Sequence, residues 1–367
     1  MNNDEIEMVA GIRPDVPPYG PEAKGAARRG LAAAAVGRRP LWRRPYTVML
    51  AGALAVAAGV TVTVTVTAPE REVSGTEVVV AMPEIAPMSA SEVLGRAARA
   101  AARDDLDPRD DQFVKVESQT MYGSFSFGDP GTGAVGDTKS ESRYLYRSKR
   151  VIWQSADGTK DGALKIEYLE PRAYPGWPIP PKAYDNDRGT QWHRLPACAG
   201  QPGRTRTDYA SLKKLPTDAE AMRAHLYTGG PGDDLKIKAT DEPGGKSRDA
   251  VAWTAAGDML RENYMPPAQR AALFEAVGTI PGVDVVRDAE DAAGRRGIGV
   301  GRVGQAGVRE DLIFDSETYE LLGERGIVVD EKAAESPAGS LVASTAQLSV
   351  TVADSPPEVK DDAAGCL

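Results

Sequence analysis

An uncharged stretch, Tyr46–Ala68, constrains the rest of the chain more than any other feature. It is bounded by Pro45 and Pro69, and charged residues begin just outside these prolines. A helix rises about 1.5 Å per residue, so this stretch reaches slightly over ~30 Å, which is enough to cross the hydrocarbon core of a bilayer. We therefore predict one transmembrane helix over residues 45–69, with residues 46–68 in contact with lipid.

The charges on either side of this span predict its orientation. Residues 1–44 carry eight basic and five acidic side chains, a net charge of +3, while the whole chain carries −9. Since the span itself is uncharged, the part after it carries about −12. Positive flanks stay in the cytoplasm, so we expect a single-pass protein of the cell membrane with its C-terminal domain outside. A cleaved signal peptide stays open as an alternative, although Pro69 would hinder cleavage after Ala68.

The charge balance and the short N-terminal segment narrow the classes of function. An acidic domain repels phosphates, so we expect no nucleic-acid partner. Residues 1–44 contain neither histidine nor cysteine and therefore no zinc motif. We interpret them as a basic, partly disordered cytoplasmic tail whose arginines contact anionic lipid.

Two cysteines, Cys198 and Cys366, both fall in the part predicted to lie outside the membrane. A disulfide persists in such an oxidising environment, and a bridge between them would tie the C-terminus to the middle of the domain. Two unpaired thiols are the alternative, because the sequence does not report the distance between them.

The rest of the chain divides into a linker (70–87), an α+β domain (88–354) and a flexible C-terminal tail (355–367). Capping boxes at Ser89/Glu92 and Thr217/Glu220 predict helix starts. Alternating apolar residues between turn signals predict strands, and the order of strands, helices and strands indicates a curved antiparallel sheet backed by helices. The predicted helices are 90–102, 218–227, 249–263 and 266–278, and the predicted strands are 112–121, 140–147, 151–155, 164–169, 283–287, 296–303, 310–314, 319–328 and 346–353.

A stretch rich in proline, glycine and aromatic residues, 171–202, is predicted as a long loop. Loops of this length in a compact domain are uncommon and are often functional. We therefore hypothesise that its aromatic side chains contribute to a ligand-binding surface for an apolar or peptide ligand; they are Tyr174, Trp177, Tyr184 and Trp192.

Several short motifs resemble catalytic or cofactor signatures but lack the surrounding pattern. Gly299–Gly304 has the glycine spacing of a dinucleotide site, yet it lies within a predicted strand instead of between a strand and a helix. Ser211–Lys214 matches the serine and lysine spacing of penicillin-interacting enzymes without the accompanying motifs. His193 and His225, predicted on a loop and on a helix face, lack metal-ligand spacing. We therefore predict no catalytic residues, no metal and no cofactor.

Four stretches between residues 211 and 330 resemble a family of uncharacterised single-pass envelope proteins of high-GC Gram-positive bacteria: Leu215–Tyr227, Pro266–Val283, Asp291–Gly297 and Leu312–Gly323. Members are often encoded beside extracytoplasmic-function sigma factors. The resemblance implies a component of a sigma-factor or envelope-stress system. The predicted helix-backed antiparallel sheet also resembles the half-barrels of lipoprotein carriers and sigma-regulator sensors, which can bind an acyl chain in the concave face of the sheet; this is an analogy at the level of the fold.

These observations favour a non-enzymatic, membrane-anchored extracytoplasmic binding or sensor protein. Two alternatives stay open. One is an extracytoplasmic hydrolase with an unrecognised site near His193 or His225, and the other is a structural protein of the cell surface.

Overall fold

The dominant element of the molecule is an antiparallel β-sheet, in whose strands successive side chains point to opposite faces. A computed structural model describes residues 77–126, 142–185, 189–197, 206–228, 247–304 and 306–360. The sheet has nine strands in these ranges: β1 (Phe113–Ser126), β2 (Ser142–Ser155), β3 (Gly162–Ala173), β4 (Thr190–Leu195), β5 (Asp284–Glu290), β6 (Arg296–Val303), β7 (Val308–Phe314), β8 (Leu321–Val328) and β9 (Leu341–Ala353).

The strand order is β4-β3-β2-β1-β9-β8-β7-β6-β5, and every neighbouring pair is antiparallel. The sheet therefore consists of two meanders, β1–β4 and β5–β9, joined where β1 pairs with β9. Its two edge strands, β4 and β5, do not pair with each other, so the sheet is open. The predicted α+β class with an antiparallel sheet is confirmed.

Seven helices lie in the described part of the chain: α1 (Ala90–Ala101), α2 (Lys182–Asp185), α3 (Tyr209–Leu212), α4 (Ala219–Tyr227), α5 (Arg248–Leu260), α6 (Pro267–Val277) and α7 (Glu331–Ala334). Residues 77–126 and the later described ranges contain no helix both long and apolar enough to cross a membrane. The predicted span, the N-terminal tail, Cys198 and Cys366 lie outside the described residues.

The main core lies between the helices and the second meander. The buried faces of α1, α4, α5 and α6 meet the side chains of Val285, Val300, Leu312 and Phe314. A smaller cluster joins Val114 and Val116 of β1 to Tyr209 and Tyr264. The packed helices thus cover one face of the sheet, as expected for amphipathic segments that bury one stripe.

The opposite face of the second meander holds buried charges. Side chains alternate along a strand, so Arg309 and Asp311 point away from Leu312 and Phe314. The Asp311 carboxylate accepts hydrogen bonds from Arg309 Nε at 2.8 Å and from Arg325 Nε at 3.0 Å. All three residues are at most 4% exposed, and Arg309 also pairs with Asp284. We name Arg309, Asp311 and Arg325 the buried ion network; the side chain of Asp284 is 46% exposed and lies at its rim.

This network explains the glycine spacing that resembles a nucleotide site. Gly299 and Gly301 lie in β6, as the sequence predicts, and no helix follows them directly. A Cβ at Gly301 would overlap the Glu310 carbonyl oxygen and the Asp311 side chain of the neighbouring strand. Glycine at this position makes room for Asp311, so the pattern reflects packing within the sheet.

Two predicted strands, 140–147 and 151–155, are one strand in the structure, β2. The polar residues between them indicated a break. In the sheet, Lys149 is exposed, whereas Arg150 points inward and its Nε lies 2.6 Å from Glu262 Oε1. An ion pair with a loop on the helical side therefore keeps a charged residue inside a continuous strand.

The predicted long loop, 171–202, is also interrupted by secondary structure. The strand β4 lies within it and pairs with β3 through Thr190–Leu195. His193 consequently lies on a strand, not on the loop that the sequence predicted. An edge strand pairs through its backbone along one side only, so its side chains can be mostly polar. A polar segment lacks the apolar alternation from which a strand is predicted.

Side-chain caps fix where the helices begin. Ser89 Oγ accepts the Glu92 amide at 3.2 Å, which confirms the predicted start of α1, but the Glu92 carboxylate accepts from Arg96 instead of closing the capping box. In α4, Asp218 accepts the Ala221 amide at 2.8 Å, so the cap is one residue later than the predicted Thr217. Asp218 and not Thr217 is the N-cap, because the Asp218 carboxylate accepts the amide of the residue three positions later.

The two assignments for α4 make different predictions. We expect Asp218→Ala to lower the free energy of unfolding by about 1 kcal/mol, because it leaves a helix amide without its partner. Thr217→Ala should change this free energy by less than about 0.5 kcal/mol. Urea unfolding of the full-length chain in detergent, followed by circular dichroism, measures both. A larger cost for Thr217→Ala would contradict the structure.

Candidate functional site

The four aromatic residues predicted to bind a ligand occupy different surroundings. Tyr174 is fully buried, and Trp177 packs against the same cluster, which includes Leu145 and Ile327. The Tyr174 hydroxyl is buried without a hydrogen-bond partner. Tyr184 lies on α2, outside this cluster. Two of the four residues therefore contribute to packing in this cluster, which takes side chains from β2, β8 and β9.

Trp192 lies elsewhere, on the edge strand β4. It is 40% exposed and stacks on Trp153 of β2 with ring centroids 6.0 Å apart. Lys115 lies over the Trp153 ring and Lys165 over the Trp192 ring, at 5.7 and 5.8 Å from the ring centroids. Each ring of the stacked pair therefore has one ammonium group close to it.

A cavity of about 830 Å³ lies between the helices and the sheet. Its volume falls in the range of about 300–1,000 Å³ that is typical of small-molecule sites. Its walls come from α1, the α5–α6 connection, α6, the β7–β8 turn and the Gln347–Val350 part of β9. Tyr174, Trp177, Tyr184 and Trp192 are not among the described residues that line it.

The apolar part of the lining can hold a hydrocarbon group. Most of it belongs to the main core and to the smaller cluster, and further side chains come from β8 and β9. Such surface binds apolar ligands by removing both partners from water. The apolar lining residues that keep exposed surface are Leu321, Leu348 and Val350, whereas Leu260, Met265, Phe274 and Leu322 are buried.

The polar part of the lining is rich in arginine. Five arginines contribute, and three of them, Arg96, Arg99 and Arg103, lie on one face of α1 and the turn that follows it. Residues three and four apart are neighbours on a helix, so this spacing turns one stripe toward the cavity. The other two are Arg270 and Arg295.

Three of the five guanidinium groups already have partners. Arg96 binds Glu92, Arg270 Nη2 lies 2.7 Å from Asp104 Oδ2, and Arg295 binds Asp291. Arg295 Nη2 also donates to the carbonyl oxygens of Leu322 and Gln347, both at 2.8 Å. These arginines are therefore engaged in holding the walls together.

The remaining two, Arg99 and Arg103, are exposed. Neither takes part in an ion pair or side-chain hydrogen bond with any of the residues that the structure describes. They are four residues apart, which places their guanidinium groups on neighbouring turns. The cavity thus offers two unpartnered cations on its α1 side.

Asp104, at the same end of the cavity, is neutralised within the wall. Burial alone would raise its pKa, but the hydrogen bond from Arg270 and the Leu106 amide hold the pKa below its usual value. The Arg270 guanidinium also lies over the Tyr264 ring, 5.0 Å from the centroid. The carboxylate stays ionised and paired, so it adds little negative field near Arg103.

The opposite wall is the turn between β7 and β8. Asp315 accepts the amides of Thr318 and Glu317 at 2.8 and 2.9 Å, and these bonds lower its pKa. Two exposed carboxylates of the turn, Glu317 and Glu320, line the cavity and form no ion pair with the described residues.

Tyr319 connects this turn to α1. Its hydroxyl accepts a hydrogen bond from Arg96 Nη1 at 2.6 Å, and the Arg96 guanidinium lies 5.3 Å from its ring centroid. Tyr319 has a φ of 62°, a left-handed conformation that costs a non-glycine residue on the order of 1–3 kcal/mol. The contacts with Arg96 and the Asp315 turn hold it there, and the ring closes one side of the cavity.

The histidines do not form a recognisable catalytic arrangement with the described residues. His193 Nε2 lies 3.3 Å from Gln191 Oε1. His225 lies on α4, as predicted, and its Nε2 is buried without a hydrogen-bond partner, so no carboxylate or hydroxyl orients that atom. Burial lowers the pKa of His225. The described residues also contain no group of three or more His, Cys, Asp or Glu placed to hold a metal ion.

Sequence reasoning missed the cavity because its walls come from segments far apart in the chain. One local signal existed: Arg96, Arg99 and Arg103 recur at helical spacing after a clear cap at Ser89. Such a stripe is usually a solvated helix face.

Comparison of the chain with protein-family models, with curated proteins and with solved structures gives no match.

Proposed function

We propose that this chain is a membrane-anchored extracytoplasmic binding protein whose α+β domain holds an amphipathic ligand in the cavity between α1, α6 and the sheet. The observation that carries the proposal is the composition of that cavity. Its volume of about 830 Å³, its apolar side and its arginine side suit a molecule with a hydrocarbon part and a polar head.

The anchor and its orientation come from the sequence. The uncharged Tyr46–Ala68 stretch follows a basic flank and precedes an acidic domain, which supports a span with the N-terminus inside. A short linker would then hold the domain close to the outer surface of the bilayer, where amphipathic molecules are available. The resemblance to envelope proteins encoded beside sigma factors supports a sensor role in envelope-stress regulation.

Filling the cavity tests the binding function. Full-length chain in phosphatidylcholine nanodiscs is titrated with octyl phosphate and octyl glucoside, each below its micelle concentration, and empty nanodiscs correct for partition into lipid. Ala100 lines the cavity on the α1 side, so Ala100→Trp should weaken binding of both amphiphiles about tenfold or more by occupying their space. Calorimetry measures the affinities.

The matched control is Ala102→Trp, because Ala102 is exposed at the end of α1 and does not line the cavity. It should bind like the unmodified chain. Equal binding by Ala100→Trp and Ala102→Trp, or no binding of either amphiphile to the unmodified chain, would contradict the proposal. The smaller Ala100→Leu gives a graded loss if the tryptophan variant fails to fold.

A further inference from the structure

We infer that the ligand carries an anionic phosphate or carboxylate group, held by Arg99 and Arg103 at the α1 C-terminal end of the cavity. This inference rests on the proposed function and names the chemical class of its ligand. The guanidinium groups of these two residues are the exposed, unpartnered cations of the cavity among the described residues. Guanidinium groups recognise such anions through paired, charge-assisted hydrogen bonds.

The other charges of the lining are arranged so that this end is basic. Arg96, Arg270 and Arg295 are each paired with a carboxylate, so they contribute little net charge. Asp104, the acidic residue nearest to Arg103 in sequence, is paired with Arg270. Arg99 and Arg103 are therefore uncompensated in a chain whose overall charge is −9.

The unpaired carboxylates of the cavity lie at the other end. Glu317 and Glu320 flank Tyr319, and Tyr319 contacts Arg96, which is the first arginine of the stripe. At about 1.5 Å per residue, Arg103 lies roughly 10 Å further along the helical direction. The two ends of the cavity thus differ in charge: the end at the β7–β8 turn is acidic, and the end at Arg99 and Arg103 is basic.

The apolar lining and the two arginines belong to one cavity, so a single ligand can contact both. Leu321, Leu348 and Val350 keep part of their surface exposed, and they line the same cavity as Arg99 and Arg103. A hydrocarbon part packed on these side chains leaves its polar head within reach of the arginines. Burial of the chain then supplies affinity, while the charge of the head supplies selectivity.

A series of amphiphiles with one chain length tests the charge of the head group. Full-length chain in phosphatidylcholine nanodiscs is titrated with octyl phosphate, octyl glucoside and octyltrimethylammonium, and inorganic phosphate is added as a separate arm. We expect octyl phosphate to bind about tenfold or more tightly than the other two amphiphiles, with a preference that shrinks as salt is raised. Binding of inorganic phosphate with the affinity of octyl phosphate would identify free phosphate as the source of the anion.

Charge-reversal variants locate the selectivity. Arg99→Glu/Arg103→Glu should remove the preference for octyl phosphate, measured as the ratio of its affinity to that of octyl glucoside. The matched control, Arg248→Glu/Arg287→Glu, changes two exposed arginines that do not line the cavity and should keep the preference. Glu317→Gln/Glu320→Gln should keep or increase the affinity for octyl phosphate.

The outcomes distinguish the anionic head group inferred here from the proposed binding of an amphiphile. Equal affinity for all three amphiphiles, with loss in Ala100→Trp, would overturn the anionic ligand and leave the binding function standing. Tighter binding of octyltrimethylammonium, lost in Glu317→Gln/Glu320→Gln, would assign the head-group site to the acidic end instead. An unchanged preference in the Arg99 and Arg103 variant would also overturn the inference.

Discussion

Asp311→Ala is expected to lower the free energy of unfolding by about 3–5 kcal/mol, because it leaves two buried guanidinium groups without their shared counter-charge. Arg309 and Arg325 each donate Nε to this carboxylate, and their side chains are 2% and 3% exposed. Water cannot replace the lost partner in so buried a position. Urea unfolding of the full-length chain in detergent, followed by tryptophan fluorescence, measures the change.

Two comparisons isolate the cause of this loss. Asp110→Ala removes an exposed carboxylate with no hydrogen bond or ion pair to described residues, and its effect should be within about 0.5 kcal/mol. Replacing the three charges together, as Arg309→Met/Asp311→Leu/Arg325→Met, should cost less than Asp311→Ala, because apolar packing avoids an unpaired buried charge. A greater loss for the triple variant would show that the ion pairs themselves stabilise the sheet.

Phe274→Ala is expected to lower the free energy of unfolding by a similar amount, about 3–5 kcal/mol, by opening a void in the main core. Phe274 is 1% exposed and meets the Phe314 ring edge-on, with centroids 5.2 Å apart. This contact joins α6 to β7, so the helix would lose its central anchor on the sheet. Thermal and urea unfolding of the full-length chain both report the effect.

The comparison for Phe274 is another apolar residue of the cavity. Leu348 also lines it but is 43% exposed, so Leu348→Ala should change the free energy of unfolding by less than about 0.5 kcal/mol. If the two variants lost equal stability, the core would not lie where the structure places it. Amphiphile titrations of Leu348→Ala then report the contribution of the cavity wall to binding without a loss of folding.

Local patterns were sufficient for much of the secondary structure. The cap at Ser89 predicts α1, the paired prolines at 266 and 267 predict the start of α6, and the alternation along 296–303 predicts β6 with the same bounds. Each signal arises from neighbouring residues and backbone geometry. Pattern reasoning failed at β4 and at the middle of β2, where pairing with another strand or an ion pair with Glu262 replaces apolar alternation.

The candidate site was harder to predict than the fold. Aromatic residues in a proline-rich stretch indicated a binding loop, but Tyr174 and Trp177 pack in a cluster with side chains of β2, β8 and β9, and Trp192 stacks on Trp153. Their role in ligand binding stays a prediction, separate from the cavity. The cavity itself needed the pairing of β1 with β9 and the placement of α1 on the sheet, which bring residues 96–104 close to residues 317–322 and 347–350.

The sequence by itself determined the α+β class, the order of strands, helices and strands, and the positions of most helix starts, because periodicity and caps act over a few residues. Only the tertiary structure decided which charges are compensated. Arg96, Arg270 and Arg295 are paired within the walls, Arg309 and Arg325 share one buried carboxylate, and Arg99 and Arg103 face the cavity with no such partner among the described residues. These differences depend on distances between segments that lie far apart in the chain.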